Sequence, residues 1–354
     1  MRCLVYGAYG YTGNLIARLA AKKGLRPILA GRSREPLERL ASELGMTSRA
    51  FGLDDAAALD AGLAGIDVVI HCAGPFSRTS KPMVDACVRT KTHYLDITGE
   101  IEVFEACAGR DAEAASAGVM LMPGTGFDVV PSDCLALHLA KRLPSTTHLR
   151  LAFTSVGGGS SHGTALTIVE GLNKPNLVRR NGVITPVRTG ELSAVVDFGR
   201  GARSALGIPW GDVSTAFVST RIPNIEVYMG MPRAAVLGAK VTGRLGGLLG
   251  AAPIQRALKH RIDAGPAGPT DEQRKAALSL LVGEARDGST TVSTRLQVLE
   301  GYTLTALTSL AIAERVLAGT FEPGYRTPAS LLGSDFILAF EGTERTDLDH
   351  SPFA

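Results

Sequence analysis

The chain has 354 residues, of which 45% are hydrophobic, so it is long enough for two domains that each bury a core. Its formal net charge of +3 is too small to indicate nucleic acid as a partner. The five cysteines form no Cys-x-x-Cys pair and lie in apolar surroundings, which is typical of reduced residues in a cytoplasmic protein. Because the amino terminus has the pattern of a strand and charges interrupt the long apolar runs, we expect neither a signal peptide nor a transmembrane helix.

The first 34 residues have the pattern of a strand, a glycine-rich turn, a helix and a second strand. This order is typical of a dinucleotide-binding fold, where glycines let the backbone approach the pyrophosphate and the helix amino terminus stabilises its charge. In the usual G-x-G-x-x-G spacing Ala8 holds the first place, and Gly10 and Gly13 hold the other two. The residues predicted to bind the cofactor phosphates are Gly7, Ala8, Gly10, Tyr11, Thr12 and Gly13.

The end of the second strand indicates which cofactor binds. NAD-binding folds place an acid there for the ribose 2′-hydroxyl, whereas NADP-binding folds offer arginine to the 2′-phosphate. This chain has Gly31, Arg32, Ser33 and Arg34 and no acid, which predicts NADP(H); the alternative is a solvated loop before the next helix. Asp54, at the end of the third strand, is expected beside the adenine or, together with Asp55, as a helix cap.

Six strands alternating with helices through residue 133 predict an α/β fold with a doubly wound parallel sheet. After that point closely spaced strands with tight turns predict a second, α+β domain with a mainly antiparallel sheet. We therefore expect an NADP-binding Rossmann domain at 1–133 and a substrate domain at 134–319, with the segment 320–354 returning to the first domain.

Several local patterns predict individual elements of the second domain. Asn181-Gly182 predicts a hairpin, residues 213–231 predict two strands, and residues 271–285 predict a helix capped by Thr270. The segment 237–262 is apolar, glycine-rich and basic, so it is a candidate for peripheral membrane contact or for a flap over a ligand. A helix packed on its own domain is the favoured alternative.

Acidic and aromatic residues follow the fourth, fifth and sixth strands, where such folds bind their ligands. After the fourth strand, Ala73, Gly74, Pro75 and Phe76 are predicted to form the wall of the cofactor site, and His71 before them is predicted to be a buried structural residue. No spacing suggests a metal site, and no Ser-His-Asp arrangement can be argued. The candidates for a catalytic role are Tyr94, Asp96, Glu100, Asp128 and His162, with turn or helix capping as the alternative role.

Several stretches together resemble the saccharopine dehydrogenase-like family, and within it the short bacterial trans-acting enoyl reductases. The resemblance implies an NADP-binding Rossmann domain with a discontinuous carboxy-terminal contribution and a second α+β domain over the nicotinamide. Its enoyl reductases reduce C=C bonds on lipid-like chains made by a separate polyketide synthase, and its saccharopine reductases act on secondary amines through an imine. The stretches are YGAYGYTG (6–13), LAGRS (29–33), HCAGPF (71–76), HYLDITGE (93–100), GTGFDVVPSD (124–133), GIPWGDVSTA (207–216) and TPASLLGSDF (327–336).

No tyrosine is followed four residues later by lysine, which excludes the catalyst of the short-chain dehydrogenases. The sequence therefore predicts an NADPH-dependent oxidoreductase that reduces an activated C=C bond of a hydrophobic substrate, free or carried on a synthase. The alternatives are a C=N reductase or amino-acid dehydrogenase, and a non-enzymatic NADP-binding interaction protein. A homodimer is a candidate assembly.

Overall fold

The computed structural model describes residues 2–157, 175–245 and 268–354, and the chain divides into two compact units. The first unit comprises Met1–Val130 and Gly301–Leu331, and the second comprises Pro131–Glu300 and Leu332–Ala354. Among the described residues, no helix is both long and apolar enough to cross a bilayer.

Strands and helices alternate through the amino-terminal part of the first unit. The strands are β1 (Cys3–Tyr6), β2 (Ile28–Gly31), β3 (Ser48–Ala50), β4 (Val68–His71), β5 (His93–Asp96) and β6 (Met120–Met122). The helices between them are α1 (Tyr11–Lys22), α2 (Arg34–Leu44), α3 (Ala56–Leu63), α4 (Phe76–Thr90), α5 (Ile101–Ala108) and α6 (Asp111–Ala117).

In space these strands lie in the order β6-β5-β4-β1-β2-β3, and every pair is parallel. All four residues of the central strand β4 are buried, as expected when helices cover both faces of a sheet. The predicted doubly wound parallel sheet is therefore confirmed.

The second unit is built around a mixed sheet. Its helices are α7 (Val130–Arg142), α8 (Asp212–Thr220), α9 (Arg233–Leu245) and α10 (Asp271–Ala276). Its strands before residue 300 are β7 (His148–Val156), β8 (Asn176–Arg180), β9 (Val183–Val187), β10 (Ser193–Asp197), β11 (Ala202–Gly207), β12 (Asn224–Gly230), β13 (Leu278–Arg286) and β14 (Thr291–Leu299).

The main path of this sheet runs β10-β11-β12-β7-β13-β14, and β12 with β7 is the parallel pair among its described strands. The predicted α+β unit with a mainly antiparallel sheet is confirmed. The predicted hairpin is also present, because β8 pairs with β9 and the turn residues Asn181 and Gly182 both have positive φ, 49° and 80°.

The carboxy-terminal segment contributes to both units, with boundaries that differ from those expected. Helix α11 (Gly301–Leu317) packs against α1, β4 and β5, and β15 (Gly324–Tyr325) extends the parallel sheet beside β6. After α12 (Pro328–Leu332), β16 (Glu344–Leu348) pairs with β14 of the mixed sheet. The returning segment is thus 301–331 rather than 320–354, because α11 buries its apolar side on the first sheet and β16 completes the second.

Two local expectations are wrong for one physical reason, which is that long-range packing overrides local pattern. The helix that starts at Thr270 ends at Ala276, and residues 278–286 are a strand because they pair along their whole length with both β7 and β14. The Thr270 cap itself is present, with Gln273 closing a capping box. Residues 212–220 are a helix rather than a strand, and it buries Val213 and Ala216.

The segment proposed for membrane contact is described only in part. Residues 237–245 belong to α9, on which Leu237 and Val241 are each 54% exposed, and residues 246–262 lie outside the described residues.

Candidate functional site

The carboxyl ends of the central strands of the first unit are in register. Tyr6, the last residue of β1, pairs with Ala30 of β2 and with His71 of β4, and His71 in turn pairs with Asp96 of β5. The loops that follow these strands therefore leave the sheet at one edge, where open α/β sheets bind their ligands.

The glycine turn after β1 is held by backbone contacts that other residues would disrupt. Gly7 has φ +79° and donates its N–H to the carbonyl of Ala30 at 2.8 Å. Gly13, in the first turn of α1, lies so close to the carbonyl of Gly7 that a Cβ atom at this position would overlap it. The turn thus brings the start of α1 tightly against β1, as a pyrophosphate-binding turn requires.

The amino terminus of α1 is open to a ligand. Gly10 is the N-cap, and no side chain among the described residues caps this end. The amides of a first helical turn have no partner within the helix, so those of Tyr11, Thr12 and Gly13 suit an anion. The Tyr11 ring packs edge-to-face on Tyr302 at the start of α11, with 5.0 Å between centroids.

The two arginines after β2 have different surroundings. Arg34 forms an ion pair with Glu38 at 3.1 Å, whereas Arg32 is exposed and forms no ion pair within the described part of the chain. Ser33 is half-buried and donates its backbone N–H to the Tyr9 hydroxyl at 3.2 Å. Arg32 is therefore the guanidinium available to a phosphate at this edge.

Of the two acids after β3, Asp55 caps a helix. Its carboxylate accepts the N–H groups of Ala57 and Ala58 at 2.9 and 3.2 Å, so one of the two expected roles belongs to this residue. Asp54 is exposed. Burial raises the pKa of Tyr6, the charge of Arg32 opposes this rise and that of Asp54 adds to it, so both groups lie near the Tyr6 phenol.

His71 is a buried structural residue, as expected. Burial lowers its pKa to about 3, so the ring is neutral, and its Nε2 lies 3.1 Å from the Thr79 hydroxyl. Thr79 donates to the carbonyl of Ala73 at 2.6 Å, so Nε2–H is the donor to Thr79, and Nδ1 has no partner among the described residues. This chain of hydrogen bonds fixes the backbone that leads into Gly74.

Glu100 anchors the segment predicted to form the cofactor wall. Its two carboxylate oxygens accept the N–H groups of Phe76 and Ser77 at 2.9 and 2.8 Å, at the amino terminus of α4. A carboxylate in this position is stabilised by the helix dipole and by both amides. Glu100 therefore positions the Gly74-Pro75-Phe76 segment, whose Gly74–Pro75 peptide is cis.

Tyr94 and Asp96 form a fully buried pair with their hydrogen bonds in use. The Tyr94 hydroxyl donates to Asp96 Oδ2 at 2.6 Å, and Asp96 Oδ1 accepts the N–H groups of Thr98 and Gly124 at 3.0 and 2.8 Å. Burial raises the pKa of Asp96 to about 6 although these donors act against the shift. Asp96 thus ties the loop after β5 to the loop after β6.

Asp128, after β6, is a half-buried acid at this edge whose carboxyl group has no hydrogen-bond partner among the described residues. Burial raises its pKa to about 7. Its Oδ2 lies against Gly99, 2.7 Å from the place a Cβ would occupy there. A carboxyl group that is protonated near neutral pH can donate a proton to a ligand.

Helix α11 forms hydrogen bonds to the loop that carries Asp128. The sequence pattern predicts this helix to lie in the second domain. Thr308 donates to the carbonyl of Thr125 at 2.7 Å, and Thr305 accepts the N–H of Phe127 at 2.9 Å. The signal in the sequence is the set of hydroxyl residues at 305, 308 and 309, which share one helical face in a largely apolar helix.

Three further findings concern the location of the site. His162 lies outside the described residues. A cavity of about 570 Å³ opens at the opposite, amino-terminal ends of β1, β2 and β3, lined in part by Arg2, Arg26 and Arg49, and contains no predicted site residue. No cluster of potential metal ligands is found among the described residues.

This geometry agrees with a comparison to known protein families. Residues 3–122 match the model of the saccharopine dehydrogenase NADP binding domain. This region is therefore similar to that NADP-binding domain. Asp128 and α11 lie beyond the matched residues.

Part of the chain is also similar to two known oxidoreductases. The chain is 35% identical over 148 residues to the trans-acting enoyl reductase of Mycobacterium leprae, covering 40% of this chain and 35% of that protein. It is 28% identical over 176 residues to the saccharopine dehydrogenase-like oxidoreductase of Bos taurus, covering 44% and 41%. The matches thus span less than half the length of these relatives.

One solved structure resembles almost the whole chain in fold. The apo saccharopine dehydrogenase (L-Glu forming) of Saccharomyces cerevisiae has a TM-score of 0.64 at 16% identity, covering 98% of this chain and 99% of that one. This likeness agrees with a parallel sheet followed by a second, mixed sheet.

Asp55→Ala should lower the free energy of unfolding by about 1 kcal/mol, because two amides of α3 lose their cap. The measurement is urea denaturation of the purified chain. Asp54→Ala is the matched control, since this exposed neighbour caps nothing and should change the value by less than about 0.5 kcal/mol. Equal losses in the two variants would contradict the assignment of the cap.

Asp128 should make the protein less stable as the pH rises from about 4 to about 7. Its pKa in the folded state, about 7, is above the ordinary value of 3.8, so the folded state holds this proton more tightly than the unfolded state. That stabilisation is complete below about pH 4 and is lost as the pH passes through 7. Asp96 acts in the same direction, so the difference between the wild type and Asp128→Asn isolates Asp128 in a pH series of denaturation curves. Identical pH profiles would contradict the raised pKa.

Proposed function

We propose that this protein is an NADPH-dependent oxidoreductase that reduces an activated C=C bond of a hydrophobic substrate. The observation that carries the cofactor assignment is the end of β2, where Gly31 stands in the place of the usual acid and Arg32 is exposed without an ion-pair partner in the described ranges. The match to an NADP-binding domain supports the same assignment.

The residues at the carboxyl edge fit this cofactor. The turn from Gly7 through Gly10 and Gly13, with Ala8, Tyr11 and Thr12, would hold the pyrophosphate at the open end of α1. In the same proposal the 2′-phosphate meets Arg32, Ser33 and Arg34, the adenine lies by Asp54, and the nicotinamide wall consists of Ala73, Gly74, Pro75 and Phe76.

NADPH supplies the hydride when it is bound. Hydride addition to the β-carbon of an activated double bond leaves an enolate, which must take a proton at the α-carbon. Asp128 is the proposed donor, since its carboxyl group has a pKa of about 7 and no described hydrogen-bond partner. After transfer the Asp128 carboxylate regains its proton from solvent.

The other acids of this edge have supporting roles in the proposal. Asp96 and Tyr94 are buried against each other, and Glu100 caps α4, so these groups position the loops around the site. His162, which lies outside the described residues, remains a candidate for a catalytic role.

The substrate class rests on the relatives. The likeness to a trans-acting enoyl reductase supports a C=C bond and a substrate delivered by a separate enzyme. The likeness to a saccharopine dehydrogenase-like oxidoreductase supports C=N reduction as the second candidate. We place the reaction in the cytoplasm, where cysteines stay reduced, as all five are here.

Arg32→Ala should weaken the binding of NADPH by about 1.5–3 kcal/mol more than that of NADH, because only NADPH carries the 2′-phosphate. Dissociation constants from fluorescence titration of both cofactors measure the difference. Arg39→Ala is the matched control, since this exposed arginine lies further along α2 and forms an ion pair with Glu35. An equal loss of both cofactors in Arg32→Ala would refute the 2′-phosphate site.

Purified protein should oxidise NADPH, followed at 340 nm, when given a long-chain enoyl thioester. Its kcat/KM should fall above about pH 7 as Asp128 loses its proton, and Asp128→Asn should lower kcat by about 10²- to 10⁴-fold, the usual contribution of a general acid. A keto acid with an amine is the comparison substrate. Turnover with that pair and none with the thioester would instead support the C=N reductase.

A further inference from the structure

Tyr9 stands in the middle of the glycine turn, and its side chain reaches the end of the neighbouring strand. The residue lies between Ala8 and Gly10 and is half-buried. Its hydroxyl oxygen is within hydrogen-bonding distance of the backbone N–H of Ser33, the residue that follows Arg32. One side chain thus links the pyrophosphate turn to the loop that meets the adenosine ribose.

The Tyr9 ring fills the space above Gly31. A Cβ atom at position 31 would lie 2.6 Å from Tyr9 Cε1 and 3.3 Å from Cδ1, so no side chain fits there unless the ring moves. Gly31 is the last residue of β2, the place where NAD-binding folds carry the acid for the 2′-hydroxyl. The ring therefore excludes that acid sterically.

The Tyr9 hydroxyl can also act as a donor. It accepts the N–H of Ser33 at 3.2 Å, and no acceptor for its own proton is found among the described residues. A phenol that accepts one hydrogen bond still has its O–H to donate. Arg32 is the exposed cation that precedes Ser33, so an anion bound to Arg32 would lie beside the loop that the Tyr9 hydroxyl contacts.

We propose that Tyr9 determines the preference for NADP over NAD. Its ring excludes an acid at position 31, and its hydroxyl donates a hydrogen bond to the 2′-phosphate beside Arg32. This inference rests on the proposed function, because it concerns the same cofactor site.

The first test removes the hydroxyl and keeps the ring. Tyr9→Phe should raise the dissociation constant of NADPH roughly tenfold or more and leave that of NADH within about twofold, because a hydrogen bond to a charged group is lost from NADPH alone. Titrations with 2′,5′-ADP and 5′-AMP should show the same contrast without the nicotinamide. Tyr228→Phe is the matched control, because it removes a phenol that donates to Glu226 in the second unit and should not change the NADPH-to-NADH ratio.

The second test concerns the ring. Gly31→Asp should weaken both cofactors, because the new side chain displaces the Tyr9 ring from the turn. The double variant Tyr9→Ala/Gly31→Asp should bind NADH at least fivefold more tightly than Gly31→Asp alone, roughly the value of one hydrogen bond, since the acid then has room to meet the 2′-hydroxyl. Thermal unfolding of each variant checks that it is folded.

Three results separate the possible failures. If the wild type binds NADPH no more tightly than NADH, the proposed cofactor assignment fails. If the wild type prefers NADPH but Tyr9→Phe keeps the wild-type ratio within about twofold, the donor role of Tyr9 is overturned and the assignment stands. If the double variant gains nothing for NADH over Gly31→Asp, the steric role is overturned.

Discussion

The rest of the candidate site depends on the hydrogen bonds that the buried carboxylate of Asp96 accepts. A carboxylate without water must find donors inside the protein, and Asp96 takes them from Tyr94, Thr98 and Gly124. Its own backbone carbonyl accepts the N–H of Thr125, which α11 then fastens from the other side. Asp96 therefore holds the start of the loop that presents Asp128, and α11 holds the residues that follow, so the contacts of Asp96 indicate a supporting role.

Different interactions organise the two ends of this edge of the sheet. At the β1–β2 end, backbone proximity governs the arrangement, because Gly13 packs on Gly7 and the Tyr9 ring packs on Gly31. At the β5–β6 end, buried acids govern it, and their different environments give them different roles. Asp96 accepts hydrogen bonds from several donors. Asp128 has no such donor among the described residues, and burial raises its pKa to about 7. Burial raises the pKa of both acids, so their hydrogen-bond partners distinguish their roles.

Local chemistry made much of this molecule predictable from its sequence. The glycine turn and the Asn181-Gly182 hairpin depend on neighbours in sequence, and the doubly wound sheet is predicted from the regular alternation of strands and helices; the structure has all three. The failures involve distant partners. Residues 278–286 become a strand only because β7 and β14 flank them, and the capping role of Glu100 depends on Phe76, which is 24 residues away. The domain boundary at residue 301 could not be predicted for the same reason. The hydroxyl residues of α11 are recognisable as a contact surface only from hydrogen bonds such as that of Thr308 to the Thr125 carbonyl.

The proposed cofactor preference depends on recognition of a 2′-phosphate at the edge after β2. Isothermal titration of the wild-type protein with NADPH and with NADH, under the same buffer and salt, measures this recognition. NADPH should bind at least about tenfold more tightly, as expected for a charged hydrogen bond at the phosphate. Equal affinities, or tighter binding of NADH, would contradict it.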